Sequence, residues 1–478
     1  MSPTHWIVSA LVVTFSVIAA GHAALWKRDP KAALGWVAFC LTLPIFGALV
    51  YFLFGINRIQ TRARALEGMS SGPLDADELA PHLIGAPSVA VSALPPELSE
   101  LARASEAVTG LPLAGGNQVE MLHSGEQAYP AMLAAIDGAR ETLYFATYIF
   151  ESNATGYRFA EALTRAAARG VAVRVIIDGV GEWYNRPRIS KILRRRGVRV
   201  ERFLKPRLFP PSIHFNLRNH RKILVIDGWT GFTGGMNIGD RHLAGNLANP
   251  DRVVDVHFRL RGPVVAQLEK VFLDDWAFIC GEVREPSVTG GAAPAGTAIC
   301  RAVVDGPDDD LDKLVTILVG AVSAARHKVA IMSPYFLPPR ELIGAMKAAA
   351  LRGVEVTVIL PARNNLPYVH WATRNMLWEL LERGVRVYYQ PPPFAHSKLF
   401  LVDDQYVQIG SANFDPRSFR LNFELVVEIF DRTFAGLVTA HLEAVRRESR
   451  EATLEEVDNR PFPVRFRDSL FWLFTPYL

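Results

Sequence analysis

Apolar positions dominate the start of the chain in two long runs without a charged residue. The first extends from Trp6 to Leu25 and the second from Ala32 to Gly55, with a short charged segment at 27–31 between them. A helix needs about 20 apolar residues to cross a bilayer. The pattern therefore predicts a two-helix transmembrane hairpin over residues 1–57. We expect Pro44 to kink the second helix, since proline lacks the backbone N–H of a regular helix.

A cleaved signal peptide is the competing interpretation of the first apolar run. It is disfavoured because no Lys or Arg precedes the run and a second apolar run follows at once. The basic residues are balanced, with three in the hairpin loop and three just after the second run, so they do not decide the orientation. With no secretory feature in the chain, we favour a multi-pass membrane protein whose remaining domains lie in the cytosol.

Beyond residue 116 the pattern changes to short strand-like runs that alternate with helical ones. In the first half, strands at 141–150 and 171–178 flank a helix at 157–169. The second half repeats this order, with strands at 328–336 and 355–360 around a helix at 341–351. The same order in two halves predicts an α/β protein with two similar domains, each built on a mixed central sheet and related by a pseudo-twofold axis.

The predicted domain boundaries follow the changes in pattern. Residues 58–116 are expected to form a basic helix and a linker, and residues 285–297, rich in Gly, Ala and Pro, form a second linker. The two domains then occupy residues 117–284 and 298–450. The tail at 451–478 is apolar enough to dock at a membrane interface, with packing against the second domain as the alternative.

Composition agrees with a membrane enzyme and gives no indication of nucleic-acid binding. Half of the residues are hydrophobic and the mean hydropathy is +0.13, whereas the net charge is only +4. Such a small charge does not predict attraction to a polyanion over the whole molecule. The three cysteines are far apart, so they form neither a disulfide framework nor a metal-binding motif.

One polar motif occurs twice. His220, Lys222 and Asp227 are followed by Gly234 and Asn237, and the same residue types return at the same spacing in the second half, at His396, Lys398, Asp403, Gly410 and Asn413. Either copy alone would most often be a solvated strand face followed by a turn. Two matching copies predict two half-sites that close over a single phosphate, without a metal or other cofactor.

Strand geometry divides the motif into two groups. Residues two apart on a strand share a face, so His220 and Lys222 point together, whereas Asp227 lies at an odd offset and faces away. Asp403 is expected to do the same, which makes both aspartates structural. A reactive histidine needs a carboxylate on its far ring nitrogen. We expect Asp255 to orient His220, with Glu424 at the comparable place in the second half; an exposed or salt-bridged role for both is the alternative.

The paired motif resembles that of the phospholipase D superfamily, and most of the chain is similar to its bacterial cardiolipin synthase branch. The resemblance includes Tyr148-Ile-Phe and Ser333-Pro-Tyr-Phe336. Asn153 departs from it, because an acidic residue is expected there. The resemblance implies catalytic His-x-Lys-x4-Asp motifs in which His220 is the nucleophile and His396 the general acid and base. It also implies phosphate binding by the four residues Lys222, Lys398, Asn237 and Asn413.

The reaction implied by the resemblance is phosphatidyl transfer through a phosphohistidine. Two phosphatidylglycerol molecules would give cardiolipin and glycerol; the alternative is a phospholipase D or a transferase that uses water or another alcohol. A nuclease and an inactive lipid-binding protein are weaker alternatives, given the predicted membrane hairpin and the two intact motifs. Residues 186–222 hold thirteen Lys or Arg against one acid, with apolar residues between them. That mixture suits an anionic lipid surface, although a solvated helix explains part of it.

Overall fold

The structure is a computed structural model of the chain. It describes residues 3–27, 30–55, 89, 91, 94–205, 217–286, 294–306 and 312–475. Contacts within the chain divide it into two compact units. The smaller unit contains residues 1–65 and 207–216, and the larger one contains residues 66–206 and 217–478.

The described part of the smaller unit is helical. Helix α1 spans Pro3–Trp26, and the second apolar run forms α2 (Pro30–Thr42), α3 (Pro44–Val50) and a π-helical turn at Tyr51–Gly55. The helix is interrupted where the kink was predicted. Leu43, directly before Pro44, leaves the helical region of backbone conformation, and α3 then begins at Pro44. Among the described helices, α1 alone is long and apolar enough to cross a membrane. The predicted pair of full spans is therefore not confirmed.

The three helices of this unit pack through small residues. Ala19, Ala20 and Ala23 of α1 are buried with Cys40 of α2 and Ala48 of α3. The Ser16 hydroxyl donates a hydrogen bond to the Pro44 carbonyl over 2.5 Å. Close backbone approach through small side chains is how helices associate in a membrane. The second apolar run thus folds back along α1.

The larger unit alternates strands and helices. Its strands are β1 (Ala114–His123), β2 (Thr142–Thr147), β3 (Ala172–Asp178), β4 (Arg199–Phe203), β5 (Arg218–Asn219), β6 (Ile223–Ile226), β7 (Thr230–Gly234), β8 (Val253–Val254), β9 (Val256–Arg261), β10 (Ala298–Asp305), β11 (Lys328–Met332), β12 (Glu355–Pro361), β13 (Arg386–Gln390), β14 (Phe394–Ala395), β15 (Leu399–Val402), β16 (Tyr406–Gly410), β17 (Asn422–Phe430) and β18 (Arg450–Ala452).

Its helices are α4 (Pro96–Thr109), α5 (Ser124–Gly138), α6 (Ala154–Ala168), α7 (Ile189–Arg195), α8 (Val264–Cys280), α9 (Lys313–Ala324), α10 (Arg340–Leu351), α11 (Pro367–Met376), α12 (Trp378–Leu381), α13 (Pro416–Arg420), α14 (Arg432–Glu448), α15 (Leu454–Asp458) and α16 (Phe462–Leu473). Single 3-10 turns occur at Gly181–Tyr184 and Asp240–His242. The strands and helices predicted in both halves are confirmed, with β2, α6 and β3 matched by β11, α10 and β12.

The sheet shows the internal repeat directly. Its strands run in the order β18-β13-β12-β11-β15-β16-β17-β10-β1-β9-β7-β6-β2-β3-β4. Outward from the antiparallel pair β1 and β10, the order β9-β7-β6-β2-β3-β4 on one side matches β17-β16-β15-β11-β12-β13 on the other. The sheet is mixed, with β2, β3 and β4 parallel and β6 and β7 antiparallel to their neighbours. The two predicted sheets are thus one continuous sheet with a pseudo-twofold axis between β1 and β10.

Helices cover both faces of this sheet. Apolar residues of α5, α6 and α7 cover the first repeat, and those of α9, α10 and α11 cover the second. On the opposite face, α8 and α14 share one core that runs across both repeats. The sheet therefore lies between two helical layers, and the two repeats share part of their hydrophobic core.

Two regions differ from the predicted organisation. Part of the predicted basic helix and linker at 58–116 is the buried helix α4, whose Leu98, Leu101 and Ala102 pack into the core of the second repeat. The predicted basic helix itself lies outside the described residues. The C-terminal tail extends the sheet through β18, which pairs with β13, and then packs α16 against α11. Most of the joint at 285–297 also lies outside the described residues.

Candidate active site

The backbone brings the two histidine motifs together through short strands that cross between the repeats. Strand β5, just before His220, pairs with the start of β17 in the second repeat. Strand β14, just before His396, pairs in the same way with β8 in the first repeat. The backbone N–H of His220 donates to Phe423 over 2.9 Å, and that of His396 donates to Val254 over 2.8 Å. Each histidine is therefore beside the residue that precedes a carboxylate of the other repeat.

This crossing decides which carboxylate holds which histidine. Nδ1 of His220 is 3.0 and 3.1 Å from the two carboxylate oxygens of Glu424. Nδ1 of His396 is 2.9 Å from Oδ2 of Asp255. The prediction that Asp255 orients His220 is wrong, and so is the alternative that these carboxylates are exposed, since both are fully buried. Each carboxylate contacts the histidine of the opposite repeat because the short strand pairs cross the pseudo-twofold axis.

The motif aspartates face away from the site, as predicted. The Asp227 carboxylate accepts hydrogen bonds from the backbone N–H groups of Arg140, Glu141 and Thr142 over 2.8 to 2.9 Å. Asp403 accepts three equivalent bonds of 2.7 Å from residues 326–328. The local cause differs from strand parity, because both aspartates begin turns with left-handed φ angles of 50° and 51°. Each one ties a motif turn to the start of a neighbouring strand.

The two lysines lie beside their histidines in a buried setting. Nζ of Lys222 donates to the His220 carbonyl over 2.7 Å, and Nζ of Lys398 donates to the His396 carbonyl over 2.8 Å. Burial lowers the pKa of Lys222 to about 7 and that of Lys398 to about 8, and in Lys222 the nearby Lys398 adds to the effect. Loss of solvent disfavours the charged ammonium form, and the nearby Glu424 and Asp255 carboxylates only partly offset this effect. The site therefore favours an anionic ligand between the lysines.

The surroundings of both histidines favour the neutral imidazole form. Burial lowers the pKa of His220, which the Glu424 carboxylate partly opposes. The pKa of His396 is lowered to about 4, first by burial and then by Lys398. Nζ of Lys398 lies 3.2 Å from both nitrogens of the His396 ring. Burial raises the pKa of Asp255, but the His396 hydrogen bond and nearby cations outweigh it and bring that pKa to about 2. With Nδ1 facing a carboxylate, Nε2 is the reactive nitrogen of each ring.

The two asparagines hold equivalent places after β7 and β16. Oδ1 of Asn237 accepts a hydrogen bond from the Ile149 backbone N–H over 3.2 Å, so the amide nitrogen of the same side chain takes no part in this bond. Its backbone N–H donates to Nε2 of His242 over 3.3 Å. The backbone N–H of Asn413 donates to the Ser418 hydroxyl over 3.0 Å, and its side-chain amide contacts the same hydroxyl at 3.2 Å. The backbone frame is common, but its acceptor is a histidine in one repeat and a serine in the other.

Comparison with known proteins identifies the family. The model of the family described as cardiolipin synthase, PLD-like domain, matches residues 132–276 and 318–446. The chain belongs to this family. A second model, of the phospholipase D-nuclease N-terminal region, matches residues 10–55.

Curated relatives span nearly the whole chain. Cardiolipin synthase A of Pseudomonas entomophila (strain L48) is 34% identical over 453 residues, which cover 93% of this chain and 92% of that protein. Cardiolipin synthase of Geobacillus kaustophilus (strain HTA426) is 33% identical over 95% of this chain and 90% of its own length. Among solved structures, phosphatidylserine synthase from Haemophilus influenzae Rd KW20 has a TM-score of 0.61 at 17% identity, and the match covers 79% of this chain and all of that one. That likeness shows the fold, and the curated relatives make the chain a membrane-associated phosphatidyltransferase.

Sequence reasoning did not assign a role to several groups around the histidines of this family member. The ring of Tyr148 lies edge-on to His220 at 5.3 Å between centroids, and Tyr335 takes the matching place 6.5 Å from His396. The Ser411 carbonyl is 3.1 Å from Nδ1 of His220, and the Ser411 hydroxyl donates to Glu424. Both tyrosines lie in segments that resemble the phospholipase D superfamily, and that resemblance was the signal in the sequence that pointed to them. For Ser411 the sequence held no signal beyond its place in the Gly-x-x-Asn segment.

The departure at Asn153 has a structural explanation. Its side-chain oxygen accepts the Gly156 backbone N–H over 3.2 Å and caps the N-terminus of α6. Its amide nitrogen donates to Glu151 over 2.6 Å. Asparagine is as good as aspartate at an N-cap, so the change leaves the helix start intact.

The basic stretch before His220 is partly internal. Arg221 is buried, and its guanidinium pairs with Asp275 over 2.6 Å. Arg199 and Arg202 pair with the acidic residues Glu282 and Glu182. Residues 206–216, which hold the most apolar part of the stretch, lie outside the described residues. The described portion thus includes cations that stabilise the fold.

Proposed function

We propose that the protein is a cardiolipin synthase that transfers a phosphatidyl group from one phosphatidylglycerol to another. The observation that carries this proposal is the pairing of two histidine–carboxylate sets across one axis, with a lysine beside each. Two cations and two imidazoles around one position suit a phosphodiester, whose non-bridging oxygens need positive charge and whose two ester bonds need a nucleophile and an acid. The side chains of His220 and His396 are each 12% exposed, so a ligand can reach them.

The first step forms a covalent intermediate. Nε2 of His220, the nucleophile implied by the family, attacks the phosphorus of one phosphatidylglycerol as the bond to the glycerol oxygen breaks. Glu424 stabilises the positive charge that develops on the ring. His396 takes up one proton from solvent as the phosphodiester binds, and it then gives its Nε2 proton to the leaving glycerol oxygen. The bound phosphate supports that protonation because it draws Lys398 away from the ring and adds negative charge, both of which raise the His396 pKa.

The second step releases the product. The hydroxyl of a second phosphatidylglycerol loses its proton to Nε2 of His396 and attacks the phosphorus, and the bond to His220 breaks. Cardiolipin leaves, His220 is again a neutral imidazole, and His396 returns to solvent the proton that it took up at the start of the cycle. Lys222, Lys398, Asn237 and Asn413 bind the non-bridging oxygens in both steps, and Asp255 keeps His396 oriented as it gives and accepts the proton.

We further propose that the N-terminal unit anchors the enzyme as a two-helix hairpin. The apolar character of α1, the folding back of α2 and α3 along it, and the family match at residues 10–55 support this proposal. The break at Pro44 is compatible with a spanning segment, because membrane helices tolerate proline where neighbouring groups satisfy the backbone. Both ends of such a hairpin are on one side of the bacterial inner membrane, which we propose to be the cytosolic side.

Product analysis tests the proposed reaction. The purified full-length protein is incubated with phosphatidylglycerol that is labelled in its terminal glycerol, and lipids and water-soluble products are separated. We expect cardiolipin and free labelled glycerol in equal amounts. Phosphatidic acid with glycerol and no cardiolipin would assign water as the acceptor and overturn the synthase proposal. Addition of other alcohols then shows whether the acceptor site takes them in place of the second lipid.

A further inference from the structure

The C-terminal helix α16 presents an apolar face to the outside of the catalytic unit. Phe462, Phe466, Leu470, Leu473 and Phe474 are 43% to 79% exposed. Their spacing of three and four residues puts them on one side of the helix. Exposed large apolar residues that occur singly are normal, but five on one short helix form a contiguous patch that indicates an interaction surface.

The opposite side of α16 is fixed to the protein by a buried charge cluster. The Asp468 carboxylate is fully buried and accepts hydrogen bonds from Arg374 of α11 over 2.7 Å, from Arg460 over 2.5 Å and from Arg467 over 2.9 Å. Arg467 also lies over the ring of Trp371, 4.3 Å from its centroid. The apolar face is therefore held outward by specific contacts on the other side of the helix.

The same contacts lead from α16 to the active site. Phe471 packs against Trp371 and stacks on Tyr368, both on α11. The Tyr335 hydroxyl donates a hydrogen bond of 2.9 Å to the side chain of Asn365, which lies in the loop before α11. The Tyr335 ring is the one beside His396. The apolar face thus has a defined position relative to the half-site that handles the leaving group.

Positive charge adjoins the apolar face. Arg465 is exposed on α16 next to Phe466. Together with Arg460, Trp378 and Asp458 it lines an open cleft of about 290 Å³. The exposed Arg465 and the Trp378 indole, which is 45% exposed, lie at the edge of the apolar strip and match the boundary of an anionic bilayer, where headgroup phosphates meet acyl chains.

We propose that α16 is an interfacial helix that docks the catalytic unit on the anionic phospholipid surface from which the active site draws its lipids. The membrane-embedded substrate of the proposed function supports a lipid occupant over a second copy of the chain. The helix lies in the plane of the interface, with its phenylalanines and leucines among the acyl chains and Arg465 at the phosphates. The docking helix and the N-terminal helices are different segments of the chain, α16 at Phe462–Leu473 and α1 to α3 within residues 3–50.

Site-specific fluorescence in vesicles tests the proposal without requiring turnover. Full-length protein with Cys280→Ser, which removes the exposed native thiol, carries an environment-sensitive label at Phe466→Cys or, as a control, at Leu351→Cys. Leu351 is 70% exposed at the end of α10, on a different helix. Both proteins are reconstituted in vesicles of phosphatidylglycerol and phosphatidylcholine. Quenchers on the acyl chains and iodide in the buffer are compared.

The expected result is a label at 466 that acyl-chain quenchers reach and iodide does not, and a label at 351 with the opposite behaviour. A label at 466 that is as accessible to iodide as the one at 351 would overturn the proposal. A label shielded from both quenchers would assign the face to a protein partner, either a second copy or the N-terminal helices, and would also overturn it. Because no catalysis is measured, these outcomes are independent of whether the enzyme makes cardiolipin.

A kinetic comparison provides the second readout. The variant Phe462→Ser, Phe466→Ser, Leu470→Ser leaves Asp468 and its arginines in place, and Leu351→Ser is its matched control. We expect KM for phosphatidylglycerol in vesicles to rise by about tenfold in the triple variant, because apolar burial at the interface is lost. In detergent micelles, where substrate diffuses to the enzyme, kcat and KM should stay close to those of the control. An equal loss in both assays would indicate a structural role and contradict docking.

Discussion

The two half-sites share a backbone frame but differ in how the carboxylate is held. Glu424 contacts His220 and also accepts hydrogen bonds from the Ser411 hydroxyl and, over 3.0 Å, from the Asn422 amide. Asp255 contacts His396 and accepts the backbone N–H of Val256 over 2.8 Å. Glu424 is thus held by two side-chain donors, whereas Asp255 is held by a backbone N–H. Duplication thus supplies a common frame, and local side chains make the surroundings of the two rings different, which suits the covalent role proposed for His220 and the proton-transfer role proposed for His396.

The largest expected effect comes from removing the nucleophile. His220→Ala should lower turnover of phosphatidylglycerol by about 10⁴-fold or more, as loss of a covalent catalyst does. The measurement is cardiolipin formation by purified protein, with His327→Ala, an exposed histidine at a turn, as the matched control. Turnover of His220→Ala close to that of the control would remove His220 from the mechanism.

The next test addresses the crossing itself. Glu424→Gln and Asp255→Asn keep the shape of each side chain but remove its charge, and each should lower kcat by about 10² to 10³-fold. The two variants should change the pKa of different histidines, which titrations followed by NMR measure. Asp255→Asn should lower the His396 pKa further and leave His220 unchanged, because the carboxylate contacts the opposite repeat. A shift at His220 instead would contradict the crossed arrangement.

The pH dependence compares the two lysines. Lys222 has the lower pKa, about 7, so in the free enzyme its ammonium is present below that pH and lost above it. Since only the ammonium binds phosphate well, the affinity for a phosphodiester ligand should fall as pH rises through about 7, and binding isotherms at a series of pH values measure this high-pH limb. Lys222→Arg, which stays charged, should move the high-pH limb up towards the pKa of Lys398, about 8. If the high-pH limb stays at the same pH in this variant, a group other than Lys222 causes it.

The smallest effect on turnover is expected at the motif aspartates. Asp227→Asn replaces one oxygen acceptor by an amide donor and should lower the free energy of unfolding by roughly 0.5 to 1.5 kcal/mol, because one hydrogen bond is lost while the backbone donors stay accessible to water. Turnover per folded molecule should stay within about threefold of the unchanged enzyme, since the group does not contact the site. Denaturation in detergent and activity of the same sample measure both. A large loss of kcat with unchanged stability would restore a catalytic role to Asp227.

Sequence reasoning was most successful where repetition or periodicity supplied the constraint. The two motifs and the alternation around β2 and β11 predicted the duplicated α/β fold, and the odd spacing of Asp227 indicated that it faces away. The carboxylates Asp255 and Glu424 were also found. Their partners were not, because both residues occupy equivalent positions and only the crossing of β5 and β14 between repeats distinguishes the two assignments.

Helix lengths and local burial were harder to predict. The apolar run from Ala32 to Gly55 predicted one long helix with a kink at Pro44, whereas the structure has two separate helices, α2 and α3, because Leu43 between them leaves the helical region. Helix α4 was assigned to a linker because the Pro- and Gly-rich segment before it dominated the pattern. Its burial depends on contacts with the second repeat, more than 200 positions later in the chain at Ala321 and Val322. Such long-range packing leaves little trace in a local pattern.

Rapid quenching is the most direct test of the central proposal, that two crossed half-sites act on one phosphate. The full-length enzyme is mixed with phosphatidylglycerol labelled in its phosphate, stopped in denaturant at neutral or alkaline pH, digested and analysed for acid-labile phosphohistidine. We predict a label on the peptide that contains His220, formed before cardiolipin appears and consumed as it accumulates. A label on the peptide that contains His396, or cardiolipin formed with no labelled histidine at any time, would contradict the proposed roles of the two half-sites.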